Sequence, residues 1–453
     1  RPPMIVPASR LLFWVAAIVL PFALMGMVEP VTAPVSLACI GGFALAAFVD
    51  ALLAPRRLAG VSVHLPPIIR LSKEREGGFE LRIKNESKVS RRLRLAPGWP
   101  VEIRPEREEM DTVLAAGAEW SALPCPCTPS KRGNYKLESV WLETASPLGF
   151  WVTRQRRPVS SEIRVYPNLL RDRHDLAALF LNRGALGLHA QRQMGKGRDF
   201  EKLREYVPGD GFDEIHWKAS ARRGRPITKV FQVERAQEIY VVIDASRLSA
   251  RQSPLSSGTA ESGALESDLE RFVTAALVLG LAAEKQGDFF GLVAFTDKIE
   301  KFVRAKSGRS HFSSCRDALY TLESKIVAPD FEEVCSFVRQ RLRRRALLIF
   351  LTALDDPALA ESFVRDVELI RRQHVVLVNM RQPQGATPLF SDPDVGSANE
   401  LYERLGGHLQ WQGLREVEII LRRRGIQFTQ FKNERLSAEL VSQYINIKQR
   451  QLL

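Results

Sequence analysis

At 453 residues the chain is too long for one ordinary domain, and units of the usual ~100 to 200 residues imply two or three. Its 45 % hydrophobic and 26 % charged residues are a globular composition, and a net charge of +13 points to an anionic partner, either nucleic acid or lipid. The five cysteines offer no disulfide framework.

The chain starts on two apolar runs. Leu11–Val28 carries no charge, and Val31–Leu53 carries only Asp50, near its far end. A spanning helix needs ~20 apolar residues, so the pair predicts a transmembrane hairpin that turns at Glu29-Pro30. A second span following at once, with no Ala-x-Ala site before it, argues against a cleaved signal peptide. Arg1 and Arg10 precede the first span and Arg56 and Arg57 follow the second, while the turn carries only Glu29. Basic flanks favour the cytoplasmic side, so the rest of the chain is expected in the cytosol, beneath a bacterial inner membrane.

From Val61 to Tyr166 short alternating runs such as Phe79–Lys84, Arg92–Leu95 and Trp141–Thr144 are separated by Gly, Pro and Asn turns, which predicts an all-β sandwich. Cys125-Pro126-Cys127 lacks a second pair of metal ligands and is expected to be two strand thiols. Residues Asp172–Gly197 are helix-like and then polar, as in a connector.

Beyond them the pattern changes. Ile239–Ile243, Phe289–Phe295, Ala346–Leu351 and Val375–Met380 are unbroken apolar runs, as strands covered on both faces require, and Ile426–Thr429 is a last strand. Helical patterns alternate with them at Leu269–Lys285, His311–Leu322, Phe331–Arg343, Pro357–Gln373, Ala398–Arg424 and Ser437–Lys448. This predicts a doubly wound α/β domain. Ser253–Ala264 is Ser/Gly-rich and reads as a flexible insertion. The expected division is 1–57 hairpin, 58–168 sandwich, 169–236 connector with a signature segment, and 237–453 α/β domain.

Ligands of doubly wound sheets sit beyond the carboxyl ends of the strands. Asp244 and Ser246 there offer a carboxylate and a hydroxyl to a hard cation such as magnesium. The arrangement resembles the start of the metal site of von Willebrand A domains, Asp-x-Ser-x-Ser. Leu248 stands in place of the second serine and Ala353 in place of the third-loop aspartate, with Ser307 or Ser310 as substitutes for the second-loop threonine and Asp355 or Asp356 in reach. The site is degenerate, and no bound cofactor is expected beyond weak magnesium.

Residues 204–222 read Arg204-Glu205-Tyr206-Val207-Pro208-Gly209-Asp210, then Ile215, Trp217, Ser220-Ala221-Arg222. They resemble the signature of the family catalogued as domain of unknown function fifty-eight, REY-x-PGD-x-x-x-x-I-x-W-x-x-SAR, which precedes a von Willebrand A-like sheet. Pro208-Gly209 suits a type II turn, Asp213 is placed to cap a helix over 214–223, and Gly224 and Pro226 end it. Ile215 and Trp217 are expected to be buried, with Arg204, Glu205, Asp210 and Arg222 forming an ion-paired lattice. A partner-docking surface is the alternative reading.

No phosphate loop is built around Gly195-Lys196, and no Gly-x-Ser-x-Gly or His-Glu-x-x-His occurs. The family resemblance implies a non-enzymatic, membrane-tethered adaptor with a von Willebrand A-like protein-binding face. It also implies a MoxR-type AAA+ ATPase as partner, in chaperone-like maturation of membrane or envelope proteins. The alternatives are a metal-dependent enzyme using the cleft near Asp244, and a basic nucleic-acid-binding protein. Against the latter, no aromatic residues interleave the basic run Arg339–Arg345 and no nucleic-acid-binding motif appears, so no nucleic acid is expected.

Overall fold

The computed structural model describes residues 3–87, 89–117, 120–170, 194–208, 211–232, 237–254, 265–383, 385–389, 397–431 and 436–450. It divides into two compact units, Arg1–Asn168 and Leu169–Leu453.

The first unit holds two helices, Ser9–Val28 and Ala33–Leu58, that are long and apolar enough to cross a membrane and suit a membrane anchor. The first contains a π-helical turn, Val15–Val19, just before Pro21. Proline has no N–H to bond the carbonyl one turn back, and the wider turn accommodates that loss. In the tight turn between the helices, Thr32 Oγ1 donates to the Met25 and Glu29 carbonyls at 3.1 and 2.8 Å. The second helix ends in a 3-10 turn, Ala54–Leu58.

An unanticipated strand, Met4–Pro7, precedes the first helix and pairs antiparallel with Trp151–Tyr166 of the sandwich. At the other end of the hairpin, Asp50 accepts hydrogen bonds from Ser146 Oγ at 2.5 Å, Leu148 N at 3.0 Å and Phe150 N at 3.2 Å. The Trp151 indole donates to the Ala47 carbonyl at 2.8 Å. Both ends of the hairpin are therefore tied to one β-domain and lie on one side of any bilayer it crosses.

That domain is a sandwich. One sheet runs Met4–Pro7, Trp151–Tyr166, Gly133–Ala145, Arg91–Pro97, Met110–Leu114, with Ile68–Ser72 parallel to Trp151–Tyr166. The other runs Val61–His64, Gly77–Asn85, Ser121–Pro129, Ile103–Pro105. Strand alternation turns Phe79, Leu81, Ile83, Leu93 and Leu95 into a common core. Cys125 and Cys127 lie on one strand, unbridged and buried, and burial pushes both thiols up to about 11.

The second unit is a doubly wound α/β domain. Its six strands lie in the order Ile299–Lys306, Phe289–Phe295, Glu238–Asp244, Ala346–Leu351, Val375–Arg381, Gln427–Phe431, all parallel except the first. The helices Asp268–Gln286 and Leu436–Gln449 pack on one face. Phe331–Arg341, Pro357–Asp366 and Ala398–Arg423 pack on the other. Gly291 is required by a close approach, because a Cβ there would stand 2.6 Å from the Tyr240 ring and 2.7 Å from Ala305 N.

Two expectations are corrected here. The antiparallel strand Ile299–Lys306 was not foreseen, and the single helix expected over 357–373 is two, Pro357–Asp366 and Glu368–Arg371. Residues 171–193 of the expected connector lie outside the described residues. Met194–Glu205 is a strand paired antiparallel with Ile227–Gln232. Most of the Ser/Gly-rich insertion, 255–264, also lies outside them, and its base is a ribbon of Gln252–Pro254 with Leu265–Ser267.

Candidate functional site

Asp244 ends a central strand and is fully buried. Its Oδ1 accepts from Ser246 N at 2.8 Å, and its Oδ2 accepts from Thr352 Oγ1 at 2.6 Å. Ser246 Oγ accepts from Leu248 N at 3.3 Å, and its carbonyl accepts from Ser249 Oγ at 2.9 Å. These are local turn-closing bonds of the kind Asp and Ser make wherever a chain leaves a strand. Burial pushes the Asp244 carboxyl above the usual carboxylate range, opposed by the bonds from Thr352 and Ser246.

Beside Asp244 opens a cavity of about 340 Å³ lined by Leu248, Arg251, Asp268, Phe272, Ala353 and Arg381. Leu248 is buried, so an aliphatic group fills a position that a metal site gives to a hydroxyl. The charges nearby are the protein's own. Arg381 Nη1 meets Asp268 Oδ1 at 2.5 Å, and Arg251 Nη1 meets Asp355 Oδ2 at 2.5 Å. Two guanidiniums thus stand on the rim where a divalent cation would be served.

The proposed substitute ligands are placed elsewhere. Asp355 is held by Arg251, and Asp356 caps the next helix by accepting from Ala358 N at 3.0 Å. Ser307 follows a strand that runs antiparallel, in which Lys306 pairs with Phe290 while Ile299 pairs with Phe295. Ser307 and Ser310 are therefore at the end of the sheet opposite Asp244, and Thr296, right after Phe295, stands at the near end instead. Thr296 bonds Asp297 at 2.8 Å and Glu300 at 3.0 Å. Thr352 stands in a strand-end loop where ligands are expected but has no role assigned from sequence, and Arg251, Asp268 and Arg381 were not singled out, since dispersed charges carry no pattern.

The signature segment forms a second, different candidate. Tyr206 N donates to the Pro226 carbonyl at 3.1 Å, which continues the ribbon of Met194–Glu205 with Ile227–Gln232. Pro208 is exposed. Gly209 and Asp210 lie outside the described residues, and with them the expected turn. Ile215 is buried and bridges Thr228. Ser220 Oγ donates to the His216 carbonyl at 3.1 Å and accepts from Ile227 N at 2.9 Å, locking the short helix to the ribbon.

Two expectations for this segment are corrected, the helix start with its cap and the burial of Trp217. The helix spans Trp217–Arg223 rather than starting at residue 214, because a 3-10 turn Phe212–Glu214 intervenes, and its cap is His216, whose Nδ1 accepts from Ala219 N at 3.0 Å. Among the described residues Glu205 pairs with Arg225 at 2.6 Å and Arg204 Nη1 donates to the Glu205 carbonyl at 3.2 Å, while Asp210 of the expected lattice lies outside them. Arg222 and Ala221 are exposed on the helix, and Arg222 makes no ion pair among the described residues. Trp217 is 69 % exposed, because the chain turns into a helix at His216 and leaves the face that Ile215 occupies. Phe212, in the 3-10 turn that precedes the helix, is 76 % exposed. Gly224, at φ +64°, ends the helix in the left-handed region as expected.

Residues 202–399 match the family described as "Protein of unknown function DUF58". A curated relative, "Uncharacterized protein YeaD" of Bacillus subtilis (strain 168), is 27 % identical over 113 residues, which is 25 % of this chain and 28 % of that protein. The chain thus matches about a quarter of that relative's length. Among solved structures, BatB from Bacteroides thetaiotaomicron is 14 % identical with a TM-score of 0.29, covering 48 % of this chain and 100 % of that one. The SpRpn10 VWA domain is 10 % identical with a TM-score of 0.27, covering 46 % and 95 %. At such scores these likenesses carry no argument, and the fold rests on its own strand order.

Proposed function

The chain carries a DUF58 region on a von Willebrand A-like α/β domain, and from that premise we propose that it is a non-enzymatic, membrane-tethered scaffold that recruits protein partners. The observation that carries this is the exposed pair Phe212 and Trp217 on a hydrogen-bonded mount. A large aromatic held rigid in water adds nothing to folding, and Trp is enriched among the residues that dominate binding energy at interfaces. Along the helix Ala398–Arg423, Leu401, Tyr402, Leu405 and Leu409 are also exposed at helical spacing, a further apolar stripe of the kind partners cover. A MoxR-type AAA+ ATPase is the partner class that the family resemblance implies.

The proposed setting is a bacterial inner membrane with the β- and α/β-domains in the cytosol. Arg10, Arg56 and Arg57 flank the hairpin and Glu29 alone marks its turn, which favours that orientation. Protease added to intact spheroplasts should leave the large domains uncut, and their degradation would reverse the orientation. Crosslinking in native membranes tests the scaffold itself. Wild-type chain should hold defined partners that Trp217→Ala and Phe212→Ala lose without a change in unfolding midpoint. Equal capture by all three chains would remove this surface from the function.

A further inference from the structure

Three arginines converge where the second spanning helix ends. Arg91 Nη1 donates to the Arg57 carbonyl and, at 2.8 Å, to the Ala59 carbonyl. Arg157 Nη2 donates to the Leu58 carbonyl at 3.1 Å. Arg57 itself stands in the 3-10 turn Ala54–Leu58. Two guanidiniums thus cap the carbonyls of three consecutive residues at the helix end, a favourable arrangement because those groups carry the negative end of the helix dipole.

Capping does not balance the charge. The helix end offers about half an elementary charge against three full positive ones. None of the three arginines makes an ion pair among the described residues, and the Nε atom of each is buried without a hydrogen-bond partner. Acids on neighbouring strands are engaged elsewhere: Glu86 with Lys84, Glu143 with Arg154 and Arg94, and Asp111 with Arg94. Repulsion from Arg57 adds to burial in lowering the Arg91 pKa. Each guanidinium has five N–H donors, so most remain after the caps are made.

The position of the cluster identifies its counter-ion. The candidate span runs to Leu58, so the arginines stand where hydrocarbon gives way to headgroups. The depth is fixed, since Asp50 is bonded to Ser146, Leu148 and Phe150, and Trp151 to Ala47. The same loop leaves Leu148 53 % exposed beside the helix, an apolar contact suited to the acyl boundary. We propose that Arg57, Arg91 and Arg157 form a binding site for the phosphodiester headgroup of an anionic phospholipid, which completes the seat of the sandwich on the membrane. Planar guanidiniums bind phosphate oxygens in pairs, and basic pockets at helix ends recognise such headgroups.

This proposal rests on the membrane reading of the two helices, and the test separates the two. The full chain is reconstituted in vesicles of phosphatidylcholine alone or mixed with phosphatidylglycerol, and native mass spectrometry of the released protein counts retained phosphatidylglycerol. Arg57→Gln is the deciding variant, because its side chain makes none of the capping bonds. It should retain phosphatidylglycerol about fivefold more weakly, Arg91→Gln likewise, while Arg339→Gln, on a helix of the α/β domain, changes nothing. Failure to insert in either vesicle overturns the anchor. Insertion without preference for phosphatidylglycerol, or an equal loss in Arg339→Gln, overturns the headgroup site alone. Protection of the detergent-solubilised chain by inorganic phosphate with no lipid dependence in vesicles overturns the lipid as its source.

Discussion

The strand-end cleft and the signature segment differ in how each spends its polar and apolar groups. Around Asp244 the charged side chains are met internally: Ser246 and Thr352 bond the carboxyl, Arg381 meets Asp268, and Arg251 meets Asp355, while Asp355 Oδ1 and the side-chain amide of Asn379 are buried without a hydrogen-bond partner. The signature segment closes its backbone and hydroxyls in the same way but leaves Phe212 and Trp217 in water. A place where ligands of this fold usually bind thus has its charges neutralised internally, while a place that looks like packing material in the sequence presents unpaired apolar area. Substitutions in the first should therefore act on stability and substitutions in the second on association.

The largest effect is expected at Arg381. Both side chains of its pair with Asp268 are nearly buried, at 12 % and 9 % exposure, so Arg381→Ala strands a carboxylate and should cost about 3 to 5 kcal/mol. Replacing both partners by apolar residues of similar volume should restore most of the loss, since a buried pair adds little net stability of its own. Chemical unfolding of the full chain in detergent measures both. A cost for Arg381→Ala below about 1 kcal/mol would mean that the cleft is wetter and more open than described.

Asp244 comes next. Asp244→Ala leaves the Ser246 amide and the Thr352 hydroxyl without their acceptor in a buried setting, a loss of about 1 to 3 kcal/mol. Asp244→Asn keeps an acceptor and removes the charge. Because burial raises the folded carboxyl pKa, the folded state holds its proton more tightly than the unfolded one. The resulting stability is present below the unfolded carboxylate value of about 4 and is lost as pH rises through the raised folded value. The unfolding midpoint of the wild type should thus fall relative to Asp244→Asn as pH rises over that window. A gap that widens in the opposite direction would show a carboxylate stabilised by a cation.

For stability, Trp217→Ala should be nearly silent. An exposed side chain outside any network is usually worth within about 0.5 kcal/mol, and Trp217 is 69 % exposed. A midpoint shift of several degrees would return this segment to the packing role that its sequence suggests.

The sheet was legible because its central strands, such as Ala346–Leu351, are covered on both faces and read as unbroken apolar runs. Its edge was not. Ile299–Lys306 has one half-buried face and four charged residues, a protected edge whose pattern resembles a loop. Met4–Pro7 pairs through its backbone and leaves no side-chain signal. At the candidate site, Asp244 and Ser246 could be placed from the apolar run before them, and so could the loss of ligands at Leu248 and Ala353. The pairing of Arg381 with Asp268 spans more than a hundred residues and exists only once the sheet has formed. Trp217 misled because aromatic residues are usually buried, and the turn at His216 that exposes it depends on an imidazole cap, which has no common sequence signature.

The smallest response is expected from magnesium. The ion needs near-octahedral oxygen ligands and surrenders its water reluctantly, so a site must offer oxygens that are not already committed. Asp244 has both carboxylate oxygens engaged, one by an amide and one by a hydroxyl. Ser246 Oγ accepts from Leu248 N, and Leu248 itself fills the space of a further ligand. Ala353 has no oxygen in its side chain, and Asp355 is held through Oδ2 by Arg251, with its buried Oδ1 left without a hydrogen-bond partner. Binding an ion would therefore break bonds that fold the loops and bring a dication toward two guanidiniums. Calorimetric titration of the chain with magnesium or manganese should show no stoichiometric site, and chelator should leave partner capture unchanged. A micromolar site that Asp244→Ala abolishes would show that the loops rearrange around an ion, and would move the ligand-binding function back to the strand ends.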